Sequence, residues 1–169
     1  MKPPPTRFDP GSQPPRWMQD LGLRPGWNWL TDPRFGLALL AGCLFWLGLF
    51  WLAQEGRGEL GPARGLAALA SLVLLQPLVE ELLFRGLLQG RLAESSWGRR
   101  QLGGITLANL SVSIVFTSLH FINHPPLWAA GVLFPSLLFG YFRDRHDSVY
   151  PAIALHVFYN AGYFLLPLF

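Results

Sequence analysis

Cys43 is the only cysteine in the 169-residue chain, so neither an intrachain disulfide nor a cysteine-built metal cluster can form. Charge is scarce too. Asp, Glu, Lys and Arg make up 14% of the residues against 51% hydrophobic, and the mean hydropathy is +0.30, a balance that suits a small integral membrane protein better than a soluble domain. The chain has no internal repeat, no Gly-x-Ser-x-Gly turn and no Gly-rich phosphate loop, which removes the usual serine hydrolase and nucleotide-binding readings. Although the pI is near 9.5, the arginines are scattered over several loops without a basic face, so no nucleic-acid partner is expected.

What the chain does have is apolar runs. Residues 35–53, "FGLALLAGCLFWLGLFWLA", carry no charge for 19 positions, enough to cross a hydrocarbon core about 30 Å thick at about 1.5 Å per residue. Further runs at about 65–92, 103–122, 127–142 and 150–169 predict an all-α polytopic transmembrane helix bundle of about five spans. Residues 1–34 hold the clusters "PPP" and "PP" and the stretch "RWMQDLGLRPGWNWL", which reads as a cytoplasmic and interfacial tail anchored by tryptophans. The first apolar run starts late and is long for a cleaved signal core. The domain expectation is therefore a tail, 1–34, and a transmembrane bundle, 35–169.

Basic residues set the orientation. With a cytoplasmic N-terminus, that side receives Lys2, Arg7, Arg16, Arg24, Arg34, Arg91, Arg99, Arg100, Arg143 and Arg145, and the other side only Arg57 and Arg64. The positive-inside rule then predicts N-in and C-out.

Inside the second run stands "EELLFRG", with Glu80, Glu81 and Arg85. Ionisable groups in a transmembrane helix are costly unless paired, hydrated or neutralised, so they face a bundle interior and mark function. Glu81 and Arg85 are spaced i,i+4 and can pair on one face; Glu80 points about 100° away and needs another partner. A purely structural role as interhelical glue is the competing reading. Pro77, just upstream, frees a carbonyl one turn earlier and can bend the helix there.

Two later runs offer partners. In "ITLANLSVSIVFTSLH", Thr106, Asn109, Ser113, Thr117 and His120 recur at steps of three and four, a polar stripe ending in a histidine. In "YPAIALHVFYNAGYF", His156 and Asn160 are i,i+4. Each histidine alone reads more readily as an interhelical hydrogen-bonding residue. Groups of this kind on three spans together suggest a hydrated cavity in which a carboxylate and imidazoles activate water while an amide and an imidazole stabilise an oxyanion. Peptide hydrolysis is the chemistry that fits.

"EELLFRG", "FTSLH" and "HVFYN" resemble the motifs Glu-Glu-x-x-x-Arg, Phe-x-x-x-His and His-x-x-x-Asn of the CAAX protease and bacteriocin-processing family of intramembrane endopeptidases, in the same order over roughly residues 65–162. The resemblance implies a helical membrane protease core at 65–169. It also implies Glu80 as the general base on water, assisted by His120, and His156 and Asn160 as the groups holding the carbonyl oxygen. Glu81 and Arg85 would be a supporting buried pair and Phe116 would pack beneath His120. Spacing by itself leaves the two glutamates interchangeable. A glutamic-type site without a metal cofactor is expected; the alternative is zinc on Glu80, His120 and His156, a composition known for catalytic zinc, although the zincin spacing His-Glu-x-x-His is absent.

Expected partners are the lipid bilayer and a membrane-embedded or lipidated peptide substrate, with cleavage near its C-terminus or leader: a CAAX-type tail, a sorting tag or a maturing peptide. The expected location is a bacterial inner (cell) membrane. The rivals are a non-catalytic immunity or binding relative and a proton-coupled transporter, the latter disfavoured by the lack of paired halves. Depth raises one structural demand. Glu80 and His156 each lie eleven positions from Arg91 and Arg145, about 16 Å, whereas His120 lies twenty positions from Arg100, about 30 Å if helical throughout. A break between Arg99 and Gly104 is therefore expected, and the pair Gly103-Gly104 permits one. Small residues at Gly86/Gly90, Ser136/Gly140 and Ala38/Gly42 predict close backbone approaches.

Overall fold

The computed structural model describes residues 15–55 and 65–165. The cluster "PPP", Lys2, Arg7, Arg57, Arg64 and the last four residues of the expected fifth span lie outside these. The described residues are almost entirely helical: α1 (Arg16–Asp20), a 3-10 turn (Asn28–Thr31), α2 (Pro33–Gln54), α3 (Leu66–Ala93), a hairpin of β1 (Gln101–Leu102) and β2 (Ile105–Thr106), then α4 (Leu107–His120), α5 (Pro126–Gly131), α6 (Leu133–His146) and α7 (Tyr150–Leu165).

Two of these helices, α2 with 22 residues and α3 with 28, are long and apolar enough to cross a membrane. Their outward faces are apolar as well. Leu37, Leu40, Leu44, Leu47 and Trp51 on α2 are all more than half exposed, unlike the face of a helix inside a soluble core. The runs expected as spans three to five hold α4, most of α6, which continues past 142 to His146, and α7, with 14, 14 and 16 described helical residues, which reach about 21–24 Å at the α-helical rise. The fourth run is also broken, α5 and α6 being separated at Val132.

Local chemistry explains the boundaries. Asp32 caps α2 by accepting from the Arg34 N–H at 3.0 Å, with Pro33 in the first helical position, where a missing N–H costs nothing. Gly103 and Gly104 form the two-residue hairpin turn at φ +60 and +86, with Gln101 opposite Thr106 and Leu102 opposite Ile105, a conformation that strongly favours glycine at both positions. The expected interruption thus takes the form of this hairpin. Helix α4 starts only at Leu107, capped by Thr106 Oγ1 accepting from the Asn109 N–H at 3.0 Å, so His120 stands about 20 Å from the start of its helix.

Helix α3 is not uniformly α-helical. Ser71–Leu75 and Leu82–Gln89 run in the wider π register, flanking an α-helical stretch at Gln76–Glu81. In the first π segment the Gln76 N–H bonds the carbonyl of Ser71, five residues back. The next partner in that register, for the carbonyl of Leu72, is the nitrogen of Pro77, which has no hydrogen.

Of the expected tail, the described part from Pro15 onward forms a strap packed on the bundle: the Gly22 carbonyl accepts from Val149 N–H at 3.0 Å, and the Arg24 carbonyl from Ser148 Oγ at 3.2 Å. The Gly86/Gly90 pair receives this strap at the C-terminal end of α1. A Cβ at Gly86 would stand 3.0 Å from the Leu21 oxygen and one at Gly90 2.7 Å from the Asp20 oxygen. Gly140 admits the Asn109 amide and Gly42 the Tyr159 ring, whose hydroxyl donates to the Ala38 carbonyl at 2.8 Å.

Two apolar clusters hold the helices. Trp29, Phe35, Ala38, Phe139, Phe142, Ala152 and Leu155 join the strap, α2, α6 and α7. Phe84, Val112 and Phe116 join α3 to α4. Because lipid tails are as apolar as these side chains, burial by itself drives association weakly in a bilayer, and close packing together with interhelical hydrogen bonds decides the arrangement.

Candidate active site

The second cluster leads to the polar centre. Phe116 stands 4.9 Å from Phe84, 4.7 Å from His120 and 6.1 Å from His156, ring centre to ring centre. Residues 36 positions apart along two helices thus meet around one phenyl ring. Phe139, from α6, stacks on His156 at 4.9 Å.

Glu81 and Arg85 are both wholly buried and their charged groups stand 3.3 Å apart, Glu81 Oε2 to Arg85 Nε. A buried pair of this kind is tolerated only when further polar groups compensate for the lost hydration. Arg85 Nη2 donates to the Ser136 carbonyl at 2.9 Å and to Ser136 Oγ at 2.7 Å. Its guanidinium carbon lies 4.8 Å from the Phe116 ring centre, within cation–π range. The other Glu81 oxygen, Oε1, meets His156 Nδ1 at 2.8 Å.

An ionised carboxylate can only accept, so Nδ1 of His156 carries the hydrogen and Nε2 is left for other work. Nε2 faces Glu80 Oε2 at 3.8 Å. The side chain of Glu80 is 33% exposed where that of Glu81 is 0%. Interchangeable by spacing, the two glutamates are therefore distinct in space: Glu81 is committed to Arg85 and His156, and Glu80 is open. His120 Nδ1 is likewise fixed, by the Phe116 carbonyl at 2.9 Å; a carbonyl cannot donate, so in the neutral imidazole Nε2 of His120 holds the lone pair.

Asn160 sits one turn after His156 on α7, and its Nδ2 donates to the Leu72 carbonyl at 2.9 Å. This is the oxygen that Pro77 leaves without a backbone donor. One amide hydrogen of Asn160 is thus spent on α3, and the second meets no acceptor among the described residues.

The zinc alternative requires Glu80, His120 and His156 around one ion. Among the described residues, no group of three or more His, Cys, Asp or Glu side chains is gathered closely enough to hold a metal.

Three contributors escape a reading by motif. Ser136 belongs to a small-residue pair that suggests packing, yet it supplies two acceptors to Arg85; the need of a buried guanidinium for acceptors was the available signal. Phe139 stacks on His156 with no motif to mark it. His124, one turn beyond His120, stacks on that ring at 5.7 Å.

Outside the bundle centre, Asp32 gathers Arg145 and His146 Nε2, the latter at 3.1 Å. The hydrogen bond from Arg145 holds the Asp32 carboxyl below its ordinary range in spite of burial, helped by the Arg34 N–H.

Neither the comparison with curated proteins nor that with solved structures returned a match. A family model described as type II CAAX prenyl endopeptidase Rce1-like matches residues 62–162, which include Glu80, Glu81, Arg85, Phe116, His120, His156 and Asn160. That match covers well over half of the chain, and with two apolar helices long enough to cross a bilayer, the protein is a membrane-embedded member of the type II CAAX prenyl endopeptidase Rce1-like family.

Proposed function

We propose that this protein is an intramembrane endopeptidase that hydrolyses a peptide bond near the C-terminus or leader of a lipidated or membrane-embedded substrate. The observation that carries the reading is the division of labour on α3: Glu81 is locked between Arg85 and His156, while Glu80 stands open, 3.8 Å from His156 Nε2.

In this reading Glu80 takes a proton from the attacking water, and His120 Nε2, whose lone pair is free, assists. His156 carries a proton on each nitrogen in this step, giving Nδ1–H to Glu81 and Nε2–H to the carbonyl oxygen of the scissile bond. The second amide hydrogen of Asn160 points to the same developing charge, the arrangement of an oxyanion hole. The proton on Glu80 then passes to the leaving amine. Phe116 and Phe139 hold the imidazoles in place, and no metal takes part. The three shorter helices, α4, α6 and α7, complete a five-span bundle in a bacterial cell membrane, with the arginine-rich end and the N-terminus cytoplasmic.

The test is mass-spectrometric detection of products after the reconstituted protein meets a farnesylated CAAX peptide, a leader-bearing peptide precursor and a sorting tag with its own transmembrane helix. Cleavage of at least one by the wild type, lost in Glu80→Gln and retained with chelator, is expected. Products that persist in Glu80→Gln would overturn the assignment, and loss with chelator would return the site to metal chemistry.

A further inference from the structure

Glu81, Arg85 and Gln89 follow one another at i, i+4 and i+8 on α3, and all three are essentially fully buried. Four of the buried side-chain atoms that lack a hydrogen-bond partner among the described residues belong to them: Glu81 Oε2, Arg85 Nε, Arg85 Nη1 and Gln89 Oε1. The first two face each other in the ion pair. The last two form a complementary set, a donor and an acceptor one turn apart.

The orientation of the Gln89 amide is fixed. Its nitrogen stands 2.9 Å from the Gly140 carbonyl and 2.7 Å from Asp144 Oδ1; the carbonyl can only accept, so the NH₂ must point there and Oε1 must point elsewhere. Asp144 is held in turn by the Thr106 hydroxyl at 2.7 Å. A single water that accepted from Arg85 Nη1 and donated to Gln89 Oε1 would satisfy both orphaned groups, the situation in which buried water becomes part of a structure.

This ladder lies between two places. At its Gln89 end is a cavity of about 520 Å³ between the strap and the ends of α3 and α6, with Asp20, Arg24, Gln89, Thr106, Arg143 and Asp144 among its lining residues. Glu80, His120 and His156 are not part of that lining. At the Glu81 end lie His156 and Glu80. Around Glu80 and His120 the outward side chains Val79, Leu83, Leu119, Phe121 and Ile122 are apolar and exposed, a face suited to lipid and poor at delivering water.

We propose that the buried Glu81–Arg85–Gln89 face of α3 is a hydrated path along which water from the cavity at the arginine-rich end reaches Glu80, with a water bridging Arg85 Nη1 and Gln89 Oε1 and Gln89 as the positioning residue at the entrance. The path rests on the peptidase reading, since each turnover consumes one water.

The reconstituted full chain tests it in two ways. Gln89→Met keeps the side-chain length and removes the acceptor. Its kcat should fall roughly tenfold with KM little changed, because substrate binding is untouched while water supply is impaired. An unchanged kcat, or a raised KM with kcat intact, would discard the path. Since this variant also loses the bonds to Gly140 and Asp144, the second measurement uses the wild type: an experimental density map that resolves internal water should show one within hydrogen-bond distance of both Arg85 Nη1 and Gln89 Oε1. Ordered water elsewhere in the interior and none at these atoms would overturn the proposal. Turnover that depends on Glu80 and ignores Gln89→Met keeps the peptidase and removes the path. A wild type that cleaves nothing removes the peptidase, and the map alone then decides whether the water is there.

Discussion

Glu81 meets His156 Nδ1 at 2.8 Å across 75 residues of sequence, and that contact fixes which glutamate remains available. With Oε2 beside Arg85 and Oε1 on the imidazole, Glu81 has no oxygen left for a substrate. Glu80, a third exposed, has one.

The two glutamates should therefore fail differently. Glu80→Gln is expected to lower peptide cleavage by about 10²–10⁴ while leaving thermal unfolding in detergent close to the wild type. Glu81→Gln strands the buried Arg85 charge and should cost about 3–5 kcal/mol of stability as well as activity. The reverse pattern, a stable inactive Glu81 variant and an unstable Glu80 variant, would exchange their roles.

Arg85→Ala removes the same pair from the other side. The bundle should lose stability by about 3–5 kcal/mol, because Glu81 then keeps a buried charge with only His156 beside it. An unfolding midpoint equal to the wild type would show that the pair does not hold the helices together.

Asn160 and Pro77 can be separated by a double variant. Asn160→Ala leaves the Leu72 carbonyl without a donor, at a cost of about 1–3 kcal/mol, and removes one oxyanion contact, which should lower kcat by about 10²–10³. Adding Pro77→Ala restores an N–H in the register that reaches Leu72, so stability should recover in the double variant while kcat stays low. Recovery of both would reduce Asn160 to a structural residue.

Asp32 provides a pH signature outside the membrane-spanning helices. Its carboxyl is held low chiefly by the hydrogen bond from Arg145, so its contribution to stability is fully present above the unfolded-state value of about 3.9 and fades as pH falls through the lower folded value. The stability difference between wild type and Asp32→Asn should be constant at neutral pH and shrink in acid below about pH 4. A gap that widens on acidification would contradict this sign.

A reporter fused ahead of residue 34 should be accessible from the cytoplasmic side only, as the arginine distribution requires. Accessibility from the outer side alone would invert the orientation.

Much of the helical content was legible in the sequence, because an uncharged run of 19 residues such as 35–53 has few ways to satisfy its backbone in lipid other than as a helix. The break before α4 was legible as well: two adjacent glycines permit backbone conformations other residues resist, and the depth of His120 demanded one. The i,i+4 pairing of Glu81 with Arg85 follows from helical geometry alone. Helix boundaries were less accessible, since α4 begins only at the Thr106 cap, α5 and α6 are separated at Val132, and α6 continues past residue 142 to His146. The docking of residues 15–32 escaped too, because strap contacts run through backbone oxygens against Gly86 and Gly90, and backbone oxygens have no sequence signature.

By itself, then, the sequence determined which residues carry the charge, which of them share a helix face, and that they stand in apolar surroundings, all consequences of composition and helical period. Only the tertiary structure decided that Glu81 rather than Glu80 takes His156 Nδ1, that Asn160 meets the carbonyl Pro77 leaves free, and that Ser136 serves the guanidinium. Those choices depend on how α3, α6 and α7 approach one another, and contacts between groups 50 to 90 residues apart are set by packing in three dimensions, which no local period encodes.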